Sequence, residues 1–234
     1  MSWIGALFVF ASLFLAPPAM GTVHQDQDNL NKDMLEALRP YGGFVGSWKG
    51  DGKSNTSSGW KEKVDCAWGF RDKDGRVSLN FFSDGKDAFA EGVLSFDPKE
   101  KEYTFVARAK DKSVLRFRGK AAKDQSLKLA RTDEDYKDKF DRLEIKLAKG
   151  SDKLLLTFGK KVGRTSFESQ MDLELFREGP ALESFAANPK CPVTGTTGRI
   201  EVTVGDKKFH VACESCKERL LAHPNWYSNK ATQP

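Results

Sequence analysis

The chain has 234 residues, 39% of them hydrophobic and 30% charged, which is the size of one large domain plus a small module. Its net charge of +5 comes from 38 basic and 33 acidic residues whose signs alternate finely, as in Lys110-Asp111-Lys112 and Asp133-Glu134-Asp135-Tyr136-Lys137-Asp138-Lys139. A nucleic-acid footprint needs cations segregated on one face, so nucleic acid is excluded as a partner and the charges read as a solvated surface.

Residues 3–15 form an unbroken apolar run that stops at Pro17-Pro18, with the small-residue site Ala19-Met20-Gly21 next. This is the pattern of a secretory signal spanning residues 1–21 and cleaved near Gly21. It implies an exported protein, periplasmic or secreted, with no integral span after cleavage. The rival reading is an uncleaved anchor, for which the run falls short of the ~20 residues a span requires. No cysteine follows closely, which excludes a lipid-modified one. Residues 22–39 are a lead-in, with a short helix over 29–38 that carries Leu30, Met34 and Leu38 at helical spacing and stops at Pro40.

From residue 40 to 178 the hydrophobic period changes from 3.6 to 2. Leu79 and Phe81, Leu94 and Phe96, Tyr103 to Ala107, Leu115 and Phe117, and Leu127 and Leu129 alternate with polar residues. So do Leu143 to Leu147, Leu154 to Phe158, and every second position of 167–175. Asp97-Pro98-Lys99-Glu100, Lys123-Asp124-Gln125 and Gly150-Ser151-Asp152 are turn material between them. Eight or nine half-buried strands without helical crossovers predict an antiparallel up-and-down barrel, because closure removes the exposed sheet edges. The fold class expected is therefore mainly β, with a short N-terminal helix and a small C-terminal ββα module.

The run Gly43-Phe44-Val45-Gly46-Ser47-Trp48-Lys49-Gly50-Asp51-Gly52 resembles the Gly-x-Trp opening of lipocalin-like barrels. It is similar in particular to a bacterial lipocalin-like family of unknown function whose last strand finishes in Arg, as Arg177 does here. The resemblance implies that Trp48 closes one end of the barrel. Nitrobindin, a haem-binding relation, opens similarly but needs an axial His near its last strands, and no His lies between His24 and His210. The aromatic residues expected inside, Phe81, Phe96, Phe105, Phe117, Phe158 and Phe167, are either a core or the wall of a cavity for one small apolar ligand.

Within this domain Cys66 alternates with Val64 and Trp68, which marks it as a buried, inert thiol. Asp72-Lys73-Asp74-Gly75 is a hairpin turn lacking the later ligands of a calcium loop, and Asn55-Thr56-Ser57 is formally a glycosylation acceptor. No Ser/His/Asp, Cys/His or paired-carboxylate constellation stands out, so no catalytic residue is assigned and the chain reads as a non-enzyme.

Residues 179–190 form a linker, opened by Gly179-Pro180, and 191–228 a module ahead of a tail at 229–234. In it Cys191-Pro192-Val193-Thr194-Gly195 is followed by a hairpin turning at Gly205-Asp206, then by Cys213-Glu214-Ser215-Cys216 at the start of a helix over 214–222. Thiolate sulfur is the metal-binding form, and the amides at a helix start favour it. Lys207, Lys208, Lys217 and Arg219 are nearby cations. Three sulfurs, Cys191, Cys213 and Cys216, suit zinc or cuprous copper, and tetrahedral zinc wants a fourth donor. His210 is the candidate, although strand alternation points it away from Cys213; water or an external thiol are the alternatives. His223 terminates the helix before Pro224. The order of Cys-Pro-Val-Thr-Gly, hairpin, Cys-x-x-Cys, helix and Pro224-Asn225-Trp226-Tyr227 resembles the YHS/TRASH-type heavy-metal-binding finger. That resemblance implies a soft or borderline metal on the three cysteines, with Ala212 standing where many relatives carry a further cysteine.

The competing reading is a Cys213–Cys216 disulfide, which an oxidising compartment permits. A thioredoxin-like redox role lacks the βαβ context, and Lys217 stands where haem attachment requires a His. The expected function is metal storage, delivery or sensing; the alternative is a carrier of a small apolar ligand with the finger as a stabilising appendage.

Overall fold

The computed structural model describes residues 30–84, 89–109, 111–133, 140–148, 152–163 and 166–230. The expected signal segment lies outside them. Helix α1 (Lys32–Leu38) begins after Asn31, whose side-chain oxygen accepts the Met34 amide at 3.0 Å. It buries Met34 and Leu38, and Pro40 then converts the chain to a 3-10 turn, Arg39–Phe44. Helix and turn together plug one end of the barrel: the Asn31 amide bonds the Gly75 carbonyl, and the Tyr103 hydroxyl bonds the Ala37 carbonyl.

Ten antiparallel strands close on themselves. They are β1 (Gly46–Ser54), β2 (Ser57–Arg71), β3 (Arg76–Ser83), β4 (Glu91–Asp97), β5 (Glu102–Arg108), β6 (Val114–Ala121), β7 (Leu127–Arg131), β8 (Arg142–Leu147), β9 (Lys153–Val162) and β10 (Ser166–Arg177). Each pairs with its neighbour in sequence, and β10 returns to β1 with Trp48 opposite Arg177. The count exceeds the eight or nine expected because β1 carries Trp48 as its one large apolar residue and three glycines. Gly50 is required there: a Cβ at this position would stand 2.0 Å from the Glu174 carbonyl oxygen of β10. Among the described residues no helix is long and apolar enough to cross a membrane.

The barrel interior is packed with rings. Trp48, Trp68, Phe44, Phe81, Phe89, Phe105, Phe117 and Phe158 are almost wholly buried. A continuous file runs from Phe44 to Phe81 (6.3 Å between ring centres), Phe105 (5.6 Å), Phe89 (5.9 Å), Phe158 (6.5 Å) and Phe117 (6.2 Å). Phe96 lies at the rim against Tyr103. Phe167, expected inside, is instead exposed, with the Arg142 guanidinium 5.0 Å from its ring centre. A bulge between Ser169 and Met171 shifts the register of β10 on β9 and turns the residues before it to the other face.

One end of the barrel is tied by Trp48 and Arg177. The indole N–H donates to the Phe44 carbonyl at 2.7 Å, and the Arg177 guanidinium stacks 4.1 Å from the indole centre. The same guanidinium donates to the Gly43 and Val45 carbonyls at 2.6 and 3.0 Å and to Asp152 at 3.2 Å. The last strand is thereby fastened to the plug.

Past an exposed stretch with a 3-10 turn at Leu182–Phe185, the C-terminal module forms a hairpin, β11 (Ile200–Val204) and β12 (Lys207–Val211). Helices α2 (Glu214–Ala222) and α3 (Pro224–Tyr227) follow. It sits on the plugged end of the barrel. Arg219, 6% exposed, donates to Asp72 in the β2–β3 turn and to the Tyr227 hydroxyl, with the Phe70 and Trp226 rings on either side. Arg199 donates to the Val45 and Gly42 carbonyls, and Arg39 to the Thr194 carbonyl. The approach is so close that a Cβ on Gly42 would lie 2.5 Å from the Thr196 methyl.

Candidate metal centre

Two segments bring three thiols to the same place. The first is a tight knuckle in which the Cys191 amide bonds the Thr196 carbonyl (2.7 Å) and the Gly195 amide bonds the Cys191 carbonyl (2.8 Å). The second and third sulfurs sit at the N-cap and in the first turn of α2, at Cys213 and Cys216. Cys216 is the hub: its Sγ is 3.5 Å from Cys213 Sγ, and its thiol bonds both Cys191 and Cys213. Cys191 and Cys216 are buried, whereas Cys213 is partly accessible, giving the cluster one open side.

The electrostatics favour ionisation at Cys213 and Cys191 and oppose it at Cys216. Hydrogen bonding from Cys216 is the largest influence on Cys213. The Cys216 and Trp68 backbone amides and the Ser215 hydroxyl add to it, and together they outweigh burial and bring its pKa down to about 6. At Cys191 burial opposes ionisation most strongly. The Cys216 thiol, the Thr194 hydroxyl and the Thr194 and Ala212 amides overcome it, again reaching about 6. Cys216 itself is pushed well up, first by burial and then by its two sulfur neighbours. Cys191 and Cys213 are therefore the two thiols of the cluster whose ionised form is favoured, with Cys216 the one that keeps its proton.

The nearby cations named from the sequence are engaged elsewhere. Lys208 pairs with Glu201, Lys217 with Glu214 and Arg219 with Asp72, while Lys207 bonds the Ser228 carbonyl. The cation that acts on Cys213 is Arg199, whose pKa is lowered to about 10 by burial and by Arg177 and supported by the Cys213 and Cys66 sulfurs. Cys66 is inward-facing and buried as expected. It nevertheless lies within electrostatic reach of Cys213, and burial followed by that neighbour raises its pKa well above normal. Neither Arg199 nor the Cys66–Cys213 proximity has a local sequence signal, since both arise from docking.

The other residues considered as ligands take different places. His210 stands directly across the hairpin from Glu201, with Nε2 3.8 Å from its carboxylate, on the strand face opposite Phe209 and Val211. His223 caps α2 and stacks flat on Trp226, ring centres 3.7 Å apart.

Among the described residues no group of three or more His, Cys, Asp or Glu side chains is placed so that it could hold a metal ion. The sulfurs are drawn together by hydrogen bonds around Cys216. Thiolates on a tetrahedral zinc ion stand about 3.8 Å apart, given a Zn–S bond of ~2.3 Å. The 3.5 Å between Cys213 and Cys216 needs only a few tenths of an ångström of opening to meet that spacing. Their separation also exceeds the ~2.05 Å of a disulfide. Cys213 and Cys216 thus lie close to the spacing that a shared cation would need.

The chain matches no known protein family and none of the curated proteins.

The lowered thiol pKa values make the stability of the reduced, metal-free protein pH-dependent. A folded-state pKa near 6 against an ordinary 9.0 contributes stability that is complete above pH 9, declines from 9 to 6, and is absent below 6. The slope of Tm against pH between 6 and 9 is expected to be steeper for the wild-type chain than for Cys216→Ala, which lacks the shared S–H. Equal slopes would refute the thiolate assignment.

Proposed function

We propose that this chain is an exported, non-enzymatic metal-binding protein whose Cys191, Cys213 and Cys216 hold zinc or cuprous copper for storage, delivery or sensing. The observation that carries this reading is the convergence of the three sulfurs on Cys216, with Cys213 at the start of α2 and open on one side. A metal that replaces the shared protons would gain three sulfur donors at once. With His210 turned toward Glu201, the fourth position would fall to water or to an external thiol, and an external thiol suits transfer to a partner.

On this reading the barrel, which the opening Val45-Gly46-Ser47-Trp48 run and Arg177 liken to lipocalin-type domains, is a scaffold for the finger. The continuous file of aromatic rings through its interior supports a scaffold over a carrier of a small apolar ligand. The test is elemental analysis of the full chain isolated reduced and without oxygen. Close to one zinc or copper per chain is expected; protein with three titratable thiols in the finger and no metal, even after incubation with zinc, would overturn the proposal.

A further inference from the structure

A second site of different chemistry lies where the module meets the plug. A crevice of about 220 Å³ opens between the backbone of Gly42 and Gly43 on one side and Thr196 and Thr197 on the other, with Arg39, Lys190 and Arg199 around it. No carboxylate lines it, and among the described residues none of the three cations is paired with one.

The two guanidinium groups are held in place by hydrogen bonds to backbone carbonyls. Arg39 donates Nε to the Thr194 carbonyl at 3.2 Å, which fixes its guanidinium plane. Its two Nη nitrogens have no protein partner among the described residues. Lys190 is positioned by the bridge its backbone makes with Thr197. Arg199 commits its Nη groups to the Val45 and Gly42 carbonyls, yet its Nε is buried with no hydrogen-bond partner among the described residues. A buried donor without an acceptor is costly unless something fills the role. Arg39 and Lys190 face no carboxylate across the crevice, and Arg199 has the Cys213 and Cys66 sulfurs as its acidic neighbours, so the three cations also repel one another there. Guanidinium groups and hydroxyls form the donor set that recognises oxyanions.

We propose that this crevice binds a small phosphate-type oxyanion, free or as the monoester of a small molecule. The volume is below the range of drug-sized pockets and suits a ligand of that size. Because Arg39 and the glycines belong to the plug while Thr196, Thr197 and Arg199 belong to the module and Lys190 ends the linker before it, the anion would bridge the two and fasten the module to the barrel.

The experiment is calorimetric titration of the full chain with inorganic phosphate and, separately, with glycerol 3-phosphate. Thermal shifts are read alongside, with sodium chloride at matched ionic strength as the control. The variant is Arg39→Ala with Lys190→Ala, two exposed positions whose loss leaves the core intact. Saturable one-to-one binding is expected, weakened roughly tenfold for each cation removed, the effect of one charged hydrogen bond. Metal content measured on the same samples stays unchanged, so failure here is separable from failure of the metal reading. Tighter binding of glycerol 3-phosphate would support an ester as the ligand, and tighter inorganic phosphate the free ion. A response no greater than that to chloride, or equal binding by the double variant, would overturn the proposal.

Discussion

Replacing Cys191 and Cys216 together by serine is expected to reduce bound metal from about one per chain to a trace and to weaken zinc or cuprous copper binding by far more than a hundredfold. The estimate starts from the observation that even outer-shell partners of metal ligands are worth roughly 10–100-fold. Here two of three sulfurs are removed, one of them the hub that touches both others. Serine is near thiol size, so the buried positions remain filled and the effect isolates the donor atoms. Cys66→Ala serves as the control. Its thiol points into the barrel and its loss leaves metal content unchanged. Measurement is by competition with a chelating dye on reduced protein. Retention of wild-type affinity by the double variant would remove the cysteines from the site.

Trp48→Ala is expected to cost about 4 kcal/mol, within the ~3–5 kcal/mol typical of deleting a buried large aromatic. Trp48 is wholly buried, its N–H holds the Phe44 carbonyl of the plug, and its ring supports the Arg177 guanidinium. The substitution leaves a cavity beside an almost wholly buried guanidinium. Domains of this size are stable by only about 5–15 kcal/mol, so the variant approaches the unfolding threshold. Trp48→Phe keeps the ring and loses chiefly the hydrogen bond, for about 1 kcal/mol. Urea unfolding separates the two. A loss below 1 kcal/mol for the alanine variant would mean that the Trp48–Arg177 clasp does not hold the barrel end.

The parts of the fold that could be read in the sequence are those where one face is buried along a regular strand. From β3 onward, alternation and turn residues mark the strands, because most turns are short and most inward positions are large and apolar. The opening strand lacks that alternation because Gly46, Gly50 and Gly52 surround its one large apolar residue, Trp48, and Gly50 admits the backbone of β10. Phe167 is misplaced by alternation because a single bulge reverses the parity of everything before it. In the module, α2 falls at Glu214–Ala222, between Cys213 and Pro224, as the sequence implies. The three sulfurs converge as the local spacing suggests.

What the sequence does not display is everything that depends on the module meeting the barrel. Arg199 acts on Cys213, the Trp68 amide faces the same sulfur, and Cys66 lies within reach, although these residues are far apart in the chain. The lysines nearest the Cys-x-x-Cys look like its counter-ions in one dimension but pair with acids on their own surface. Cationic residues that share the anion crevice likewise come from α1's end, the linker and the hairpin start.

X-ray absorption at the metal edge of the zinc-loaded, reduced full chain probes the sulfur cluster most directly. The account predicts three sulfur neighbours at about 2.3 Å completed by one light atom. A shell of oxygen and nitrogen alone, or protein that takes up no zinc because Cys213 and Cys216 are bonded to each other after full reduction has been attempted, would contradict it.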